Sequence, residues 1–147
     1  TKMSMDILPS IIDDLGVVEA LRWYSDEFKK QYSNLTVNFE TNMETAEMPL
    51  MEATALYRIY QECLKNVATH AEASIIASSF ERQNGSFILS VNDNGKGFDV
   101  ADIESRKTMG IVGMRERSVM IGAEFAIDSE PGKGTSVRVA IPRQQKN

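Results

Sequence analysis

The run Ser74–Phe80, the dipeptide Asn84-Gly85 and the run Ser86–Val91 restrict the fold of this chain more than any other feature. Two strand-like runs joined at Asn-Gly read as a β-hairpin, because Asn and Gly tolerate the positive φ angles that a tight type I′ turn demands. Further strand signals surround this pair. Leu35-Thr36-Val37-Asn38-Phe39-Glu40 alternates apolar and polar residues, and Glu124–Ser129 and Ser136–Ile141 flank the turn-rich Glu130-Pro131-Gly132-Lys133-Gly134-Thr135. Helical patterns are interspersed. The opening stretch to Tyr32 reads as helical with a break at Pro9, and Leu15, Val18, Leu21, Trp23 and Phe28 mark an amphipathic helix after Gly16. Asp13 and Asp14 sit at its N-terminal end, where negative charge is favourable. Pro49 suits the first turn of a long helix to about His70, and Met114–Ile121 reads as a short helix ending at Gly122. No regular βαβ alternation links these elements. The expected class is α+β, with a mostly antiparallel sheet carrying helices on one face.

The chain's 147 residues suit one domain with a sizeable core. A net charge of -5 argues against a nucleic-acid surface, which shows a basic stripe. The lone Cys63 excludes an internal disulfide framework and favours a reducing compartment, here expected to be the cytoplasm. The lone His70 leaves little for a zinc site. No apolar run reaches the roughly 20 residues of a membrane span.

Three segments carry chemistry. Glu62, Asn66 and His70 recur every four residues and form an oblique polar stripe beside the apolar Leu56, Tyr60, Cys63 and Val67. An Asn side-chain oxygen is a hard ligand that suits Mg²⁺, and a carboxylate one turn away can orient or deprotonate an attacking group. Taken alone, the same stripe reads more readily as the solvated edge of a helix. Next, Asp93-Asn94-Gly95-Lys96-Gly97 follows a strand, where the carboxylate can accept a hydrogen bond from a base amine and the glycines admit a ligand to the backbone. A plain Asn-Gly turn is the competing reading. A calcium loop from Asp93 to Glu104 fails, because Gly95 and Gly97 replace ligands and Phe98 takes the place of the required glycine. Third, Gly110 and Gly113 precede the helix Met114–Ile121, where backbone amides and the helix dipole favour phosphate. This is no Rossmann fingerprint, and Gly132-Lys133-Gly134-Thr135 is no P-loop.

In this order, Glu62-x-x-x-Asn66, Asp93-x-Gly95-x-Gly97, Gly110-x-x-Gly113 and Gly134-Thr135 resemble the ATP-binding domain shared by sensor histidine kinases, DNA gyrase, the Hsp90 chaperone and MutL. Three phrases resemble the histidine kinases that pair with the NarL type of response regulator. They are Ile7-Leu8-Pro9 with Asp14-Leu15-Gly16 and Ala20-Leu21; Tyr57-Arg58-Ile59-Tyr60-Gln61-Glu62; and Gly113-Met114-Arg115-Glu116-Arg117. The resemblance spans about Ile7 to Pro142. It implies a two-layer α/β sandwich of the Bergerat type, with ATP and Mg²⁺ as cofactors. It gives Asp93 the adenine amino group, with Thr135 supporting through water. Asn66 would hold Mg²⁺, and Glu62 would help activate the phosphate acceptor. Gly110 and Gly113 would shape the phosphate end, Phe98–Met109 would form a lid, and His70 would line the pocket without being phosphorylated.

The resemblance also implies an organisation: residues 1–14 as connector from a dimerisation domain, 15–142 as the catalytic domain, and 143–147 as a tail. The phosphoacceptor histidine is expected on that dimerisation domain, in a homodimeric parent that signals to a NarL-type regulator and meets a membrane only through regions outside this chain. Thr69 and Thr108 depart from the family pattern, the first in place of a basic residue and the second in place of a glycine. Two alternatives share the fold: a stand-alone anti-sigma-factor serine kinase and a non-catalytic ATP sensor.

Overall fold

The computed structural model describes residues 9–99 and 109–142. Its elements are α1 (Pro9–Gln31), β1 (Thr36–Thr41), α2 (Leu50–Asn66) continued by a π-helical turn (Val67–Ala71), β2 (Ile75–Gln83), β3 (Ser86–Asp93), α3 (Met109–Met120), β4 (Glu124–Ser129) and β5 (Thr135–Pro142). The five strands form one sheet in the order β1-β2-β3-β5-β4. Only the β1–β2 pair is parallel. The hairpin expected at Asn84-Gly85 is present, with φ of 50° and 78° at the two turn residues and Gln83 paired with Ser86.

Alternation along the strands turns one face inward. Val37, Ile76, Phe80, Leu89, Val91, Val137, Val139 and Ile141 are buried there with the apolar faces of the helices. Leu21, Tyr24 and Phe28 of α1 meet Leu56, Tyr57 and Tyr60 of α2 in the same core. Edge-to-face contacts place the Tyr24 ring 5.8 Å from Tyr57 and 6.1 Å from Tyr60, a geometry that aligns ring edges with ring faces. Tyr60 also anchors α2 to the sheet: its hydroxyl bonds Ser78 Oγ at 2.8 Å, and Ser78 donates to the Asn38 carbonyl. Burial among these groups pushes the Tyr60 phenol up to about 12, so it stays a neutral hydrogen-bonding partner.

Three details differ from the sequence expectation. The break in α1 falls at Gly16 (φ 88°), with Pro9 as the first helical residue; proline is tolerated there because its missing N–H would have no intrahelical partner. Leu15 lies just before that kink and is 60% exposed, so it leaves the apolar face, whereas Val17, Ala20 and Tyr24 join it. The short third helix begins at Met109, five residues earlier than its apolar pattern suggests, and ends at Met120, one residue before the expected Ile121, in a turn where the Gly122 and Ala123 amides bond back to Val119 and Ser118. Gly110 and Gly113 therefore lie inside α3 and not ahead of it. Gly110 keeps a first-turn amide, but the Gly113 amide falls within the helical ladder. The connector before Pro9, most of the lid between Phe98 and Met109 (Thr108 included) and the tail 143–147 fall outside the described residues.

Candidate functional site

Asp93 ends β3 directly opposite Thr135 at the start of β5. Its carboxylate accepts the Gly95 amide at 2.7 Å and a second hydrogen bond from the Thr135 main chain. The side chain is half-buried, and burial raises its pKa above the usual aspartate value while these two bonds oppose the shift. One acidic group is thus held at a strand end with its acceptor geometry fixed by backbone. The Thr135 hydroxyl bonds Ser129 Oγ at 2.8 Å, so its direct support of Asp93 comes through the main chain.

Ser129 has no place in the sequence reading, yet it closes this corner. Its hydroxyl donates to the Gly134 carbonyl and accepts the Phe98 amide, both at 2.9 Å. Asn94 does the same on the other side, accepting the amides of Ser74 and Ile75 at 2.9 and 3.0 Å. Neither carries a signal in sequence beyond its position at a strand end or turn. The loop after Asp93 is also pinned by Lys96, whose amide bonds the Ala71 carbonyl at 2.7 Å.

The loop glycines serve these close approaches. A Cβ on Gly95 would collide with the Ala71 carbonyl and lie 2.7 Å from the Ala71 Cβ; one on Gly97 would meet the Glu130 carbonyl, and one on Gly134 the Asp93 carbonyl. Among the described residues the space beside these glycines is filled by the protein's own backbone, which is a sufficient physical reason for Asp-x-Gly-x-Gly.

Glu62 and Asn66 lie on the last two turns of α2, both partly buried. Cys63 links this helix to its neighbours: its thiol contacts Met114 Sδ of α3 at 3.5 Å. Burial first, then the nearby negative charges of Glu62 and Asp93, push that thiol far up, so it is an inert packing group. Both carboxylates therefore lie within electrostatic reach of the buried Cys63 thiol. Glu62 also touches the first turn of α3, where a Cβ at Gly110 would lie 2.5 Å from its Oε2. The α-helix gives way to the π turn after Asn66, so the four-residue register of the stripe breaks there and His70 is exposed. Such π turns recur at functional sites.

Asp93, Gly95, Gly97 and Thr135 are therefore joined by hydrogen bonds or close packing, and Glu62 and Gly110 meet at the neighbouring α2–α3 seam. Asn66 stands one turn beyond Glu62. A shallow hollow of about 650 Å³ lined by Arg22, Phe39, Thr41 and Glu81 lies elsewhere. The strand register puts Thr41 opposite Phe80, which faces Leu89 on β3, toward the other end of the sheet from Asp93, so this hollow has no part in the site. Among the described residues no helix is long and apolar enough to cross a membrane.

The profile of a family described as "Histidine kinase-, DNA gyrase B-, and HSP90-like ATPase" matches residues 51–145. The chain is 33% identical over 140 residues to the oxygen sensor histidine kinase NreB of Staphylococcus carnosus, covering 95% of this chain and 40% of NreB. It is likewise 33% identical over 137 residues to the signal transduction histidine-protein kinase/phosphatase DegS of Brevibacillus brevis, covering 93% of this chain and 35% of DegS. The chain thus spans two-fifths or less of the length of these relatives. Its fold is that of the histidine kinase domain of the blue-light activated kinase of Erythrobacter litoralis, with a TM-score of 0.74, 21% identity, and 86% of this chain and 60% of that chain covered. The catalytic domain of the histidine kinase ThkA gives a TM-score of 0.69 at 19% identity, covering 88% and 95% of the two chains.

Proposed function

We infer that this chain, which belongs to the family of histidine kinase-, DNA gyrase B-, and HSP90-like ATPases, is the ATP-binding catalytic domain of a two-component sensor histidine kinase. The observation that carries the reading is the Asp93 carboxylate, held at a strand end by the Gly95 and Thr135 amides beside the α2 helix that bears Glu62 and Asn66. The likeness to NreB and DegS over nearly the whole chain supports the histidine kinase branch of the family.

In this reading Asp93 accepts a hydrogen bond from the adenine amino group. Guanine carries a carbonyl oxygen at that position, which the carboxylate repels. Asn66 offers an amide oxygen to Mg²⁺. A single amide oxygen suits an ion that draws its other ligands from phosphates and water. When bound, Mg²⁺ would neutralise charge on the phosphates. Glu62 orients the acceptor imidazole and takes up its proton as a nitrogen–phosphorus bond forms, the bond from the γ-phosphorus to the bridging oxygen breaks, and ADP leaves. The acceptor histidine belongs to a dimerisation domain of the parent protein, a homodimer in the cytoplasm that passes the phosphoryl group to a NarL-type response regulator. His70, Gly97, Gly110 and Gly113 border the nucleotide site in the same reading, Gly110 through its backbone amide, which an alanine there would keep.

Calorimetric titration with Mg·ATP and Mg·GTP tests the pocket. ATP binds and GTP binds weakly or not at all; Asp93→Ala removes ATP binding. Lys96→Ala changes it little, since Lys96 is exposed and its ammonium sits 3.7 Å from Glu72. Equal affinity for both nucleotides, or no heat with either, overturns the assignment.

A further inference from the structure

We propose that Gly110 is a positioning residue for Glu62: the missing side chain at position 110 lets the Glu62 carboxylate rest against the first turn of α3. The inference depends on Glu62 handling the acceptor's proton, as set out above. Its geometric basis is the seam between α2 and α3. Met114 is fixed on Cys63 by the sulfur–sulfur contact at 3.5 Å, and both side chains are buried. Gly110 stands four residues before Met114 on the same helix face, and so meets Glu62, the neighbour of Cys63. A Cβ there would lie 2.5 Å from Oε2, 3.1 Å from Cδ and 3.2 Å from Cγ of Glu62. Oε2 would collide outright and Cδ and Cγ would be crowded, so the carboxylate must shift to admit the methyl.

Glycine is a poor helix former, so a glycine inside a helical turn calls for a packing reason. Gly113 supplies the contrast, because among the described residues a Cβ at that position meets nothing within 4 Å. Of the two α3 glycines, only Gly110 is required by a neighbouring side chain, and that side chain is the one assigned to proton handling. The unpaired first-turn amides and the helix dipole favour a carboxylate at this end of α3, so the contact fixes where the Glu62 oxygens sit relative to an incoming acceptor. Position 110 therefore acts on the transfer step through Glu62, with no contact to nucleotide required.

The test is Gly110→Ala in the full-length kinase, with Val112→Ala on the exposed face of α3 as a control that leaves the rate unchanged. Gly110→Ala lowers the phosphoryl transfer rate roughly 10–100-fold, as a displaced catalytic group does, while KM for ATP, nucleotide affinity and the thermal midpoint hold. In a Glu62→Ala background the same substitution causes no further loss, because the two act as one unit. Independently of activity, the Glu62 side-chain carboxyl resonance moves in Gly110→Ala while that of Asp93 stays in place. A wild-type transfer rate, a loss of ATP binding, an equal fold-loss in both backgrounds or an unmoved Glu62 resonance overturns the proposal. Wild-type transfer by Glu62→Ala alone overturns the role of Glu62 and the proposal together, whereas failure confined to Gly110→Ala leaves that role standing.

Discussion

Asp93 and Thr135 are the last register pair of the β3–β5 ladder, and the Thr135 main chain donates directly to the Asp93 carboxylate. The residue assigned to base recognition is thus held by the sheet itself. Burial opposes ionisation of this carboxyl and raises its pKa above 3.8, with the Gly95 and Thr135 bonds pulling the other way. The folded state then holds the Asp93 proton more tightly than the unfolded chain does. Its contribution to stability is complete below the unfolded value and is lost as the pH rises through the folded one. Asp93→Asn cannot ionise and escapes that loss. Denaturant titrations of both proteins between about pH 4 and pH 7 should show the stability difference moving in favour of the Asn variant as pH increases. The opposite trend would mean that the two hydrogen bonds outweigh burial.

Glu62 and Asn66 occupy successive turns of α2, but their expected roles separate cleanly. Asn66→Ala should leave nucleotide binding indifferent to Mg²⁺, measured by titration with and without the ion. Glu62→Gln keeps shape and removes charge, so it should bind ATP normally and transfer phosphate about 10²–10⁴-fold more slowly if Glu62 is the general base. Transfer at the wild-type rate would make Glu62 a packing residue of the α2–α3 seam.

One substitution should have opposite effects at two glycines. Gly95→Ala forces a Cβ into the Ala71 carbonyl, the acceptor of the Lys96 amide. Backbone on both sides gives no cheap escape, and a loss of about 1–3 kcal/mol is expected, as for other overpacked sites. Gly113→Ala adds a methyl that meets none of the described residues within 4 Å and should gain up to about 1 kcal/mol from helix propensity. Thermal denaturation of the two variants decides the point. Equal and small shifts would show that the Gly95 loop relaxes freely.

The hairpin, the five strands and the buried face Leu56, Tyr60, Cys63 and Val67 are legible in sequence because period and turn chemistry are local properties. What sequence leaves hidden is made by contacts across the fold. The α3 start escapes detection because two of its first five residues are glycine and it is stabilised by its seat on Cys63 and Glu62. The π turn after Asn66 has no local signature, so the stripe through His70 reads as continuous helix. Ser129 and Asn94 look like ordinary turn residues until the sheet brings Phe98, Gly134 and Ser74 within their reach. The glycines after Asp93 are visible as a motif, but their packing against Ala71 and Glu130 is not.

The final prediction concerns where the phosphate goes. His70 is the chain's only imidazole, and it sits exposed on the π turn beyond Asn66. Phosphoryl transfer is mainly positioning plus electrostatic stabilisation, so an acceptor nitrogen must stand in line with the γ-phosphate. In the proposed reading His70, exposed on the π turn beyond the proposed Mg²⁺ ligand, lines the site, and the in-line acceptor comes from the dimerisation domain. The 147-residue chain should therefore bind ATP without acquiring acid-labile phosphate. Mixing it with a separately made dimerisation domain of its parent should place acid-labile, base-stable phosphate on that partner, though slowly, because loss of the tether removes the high effective concentration of a linked acceptor. Labelled ATP followed by acid and base treatment reads both outcomes. Label on His70 would overturn the role given to that residue, and acid-stable label on a serine of a partner would point instead to a serine kinase built on the same fold.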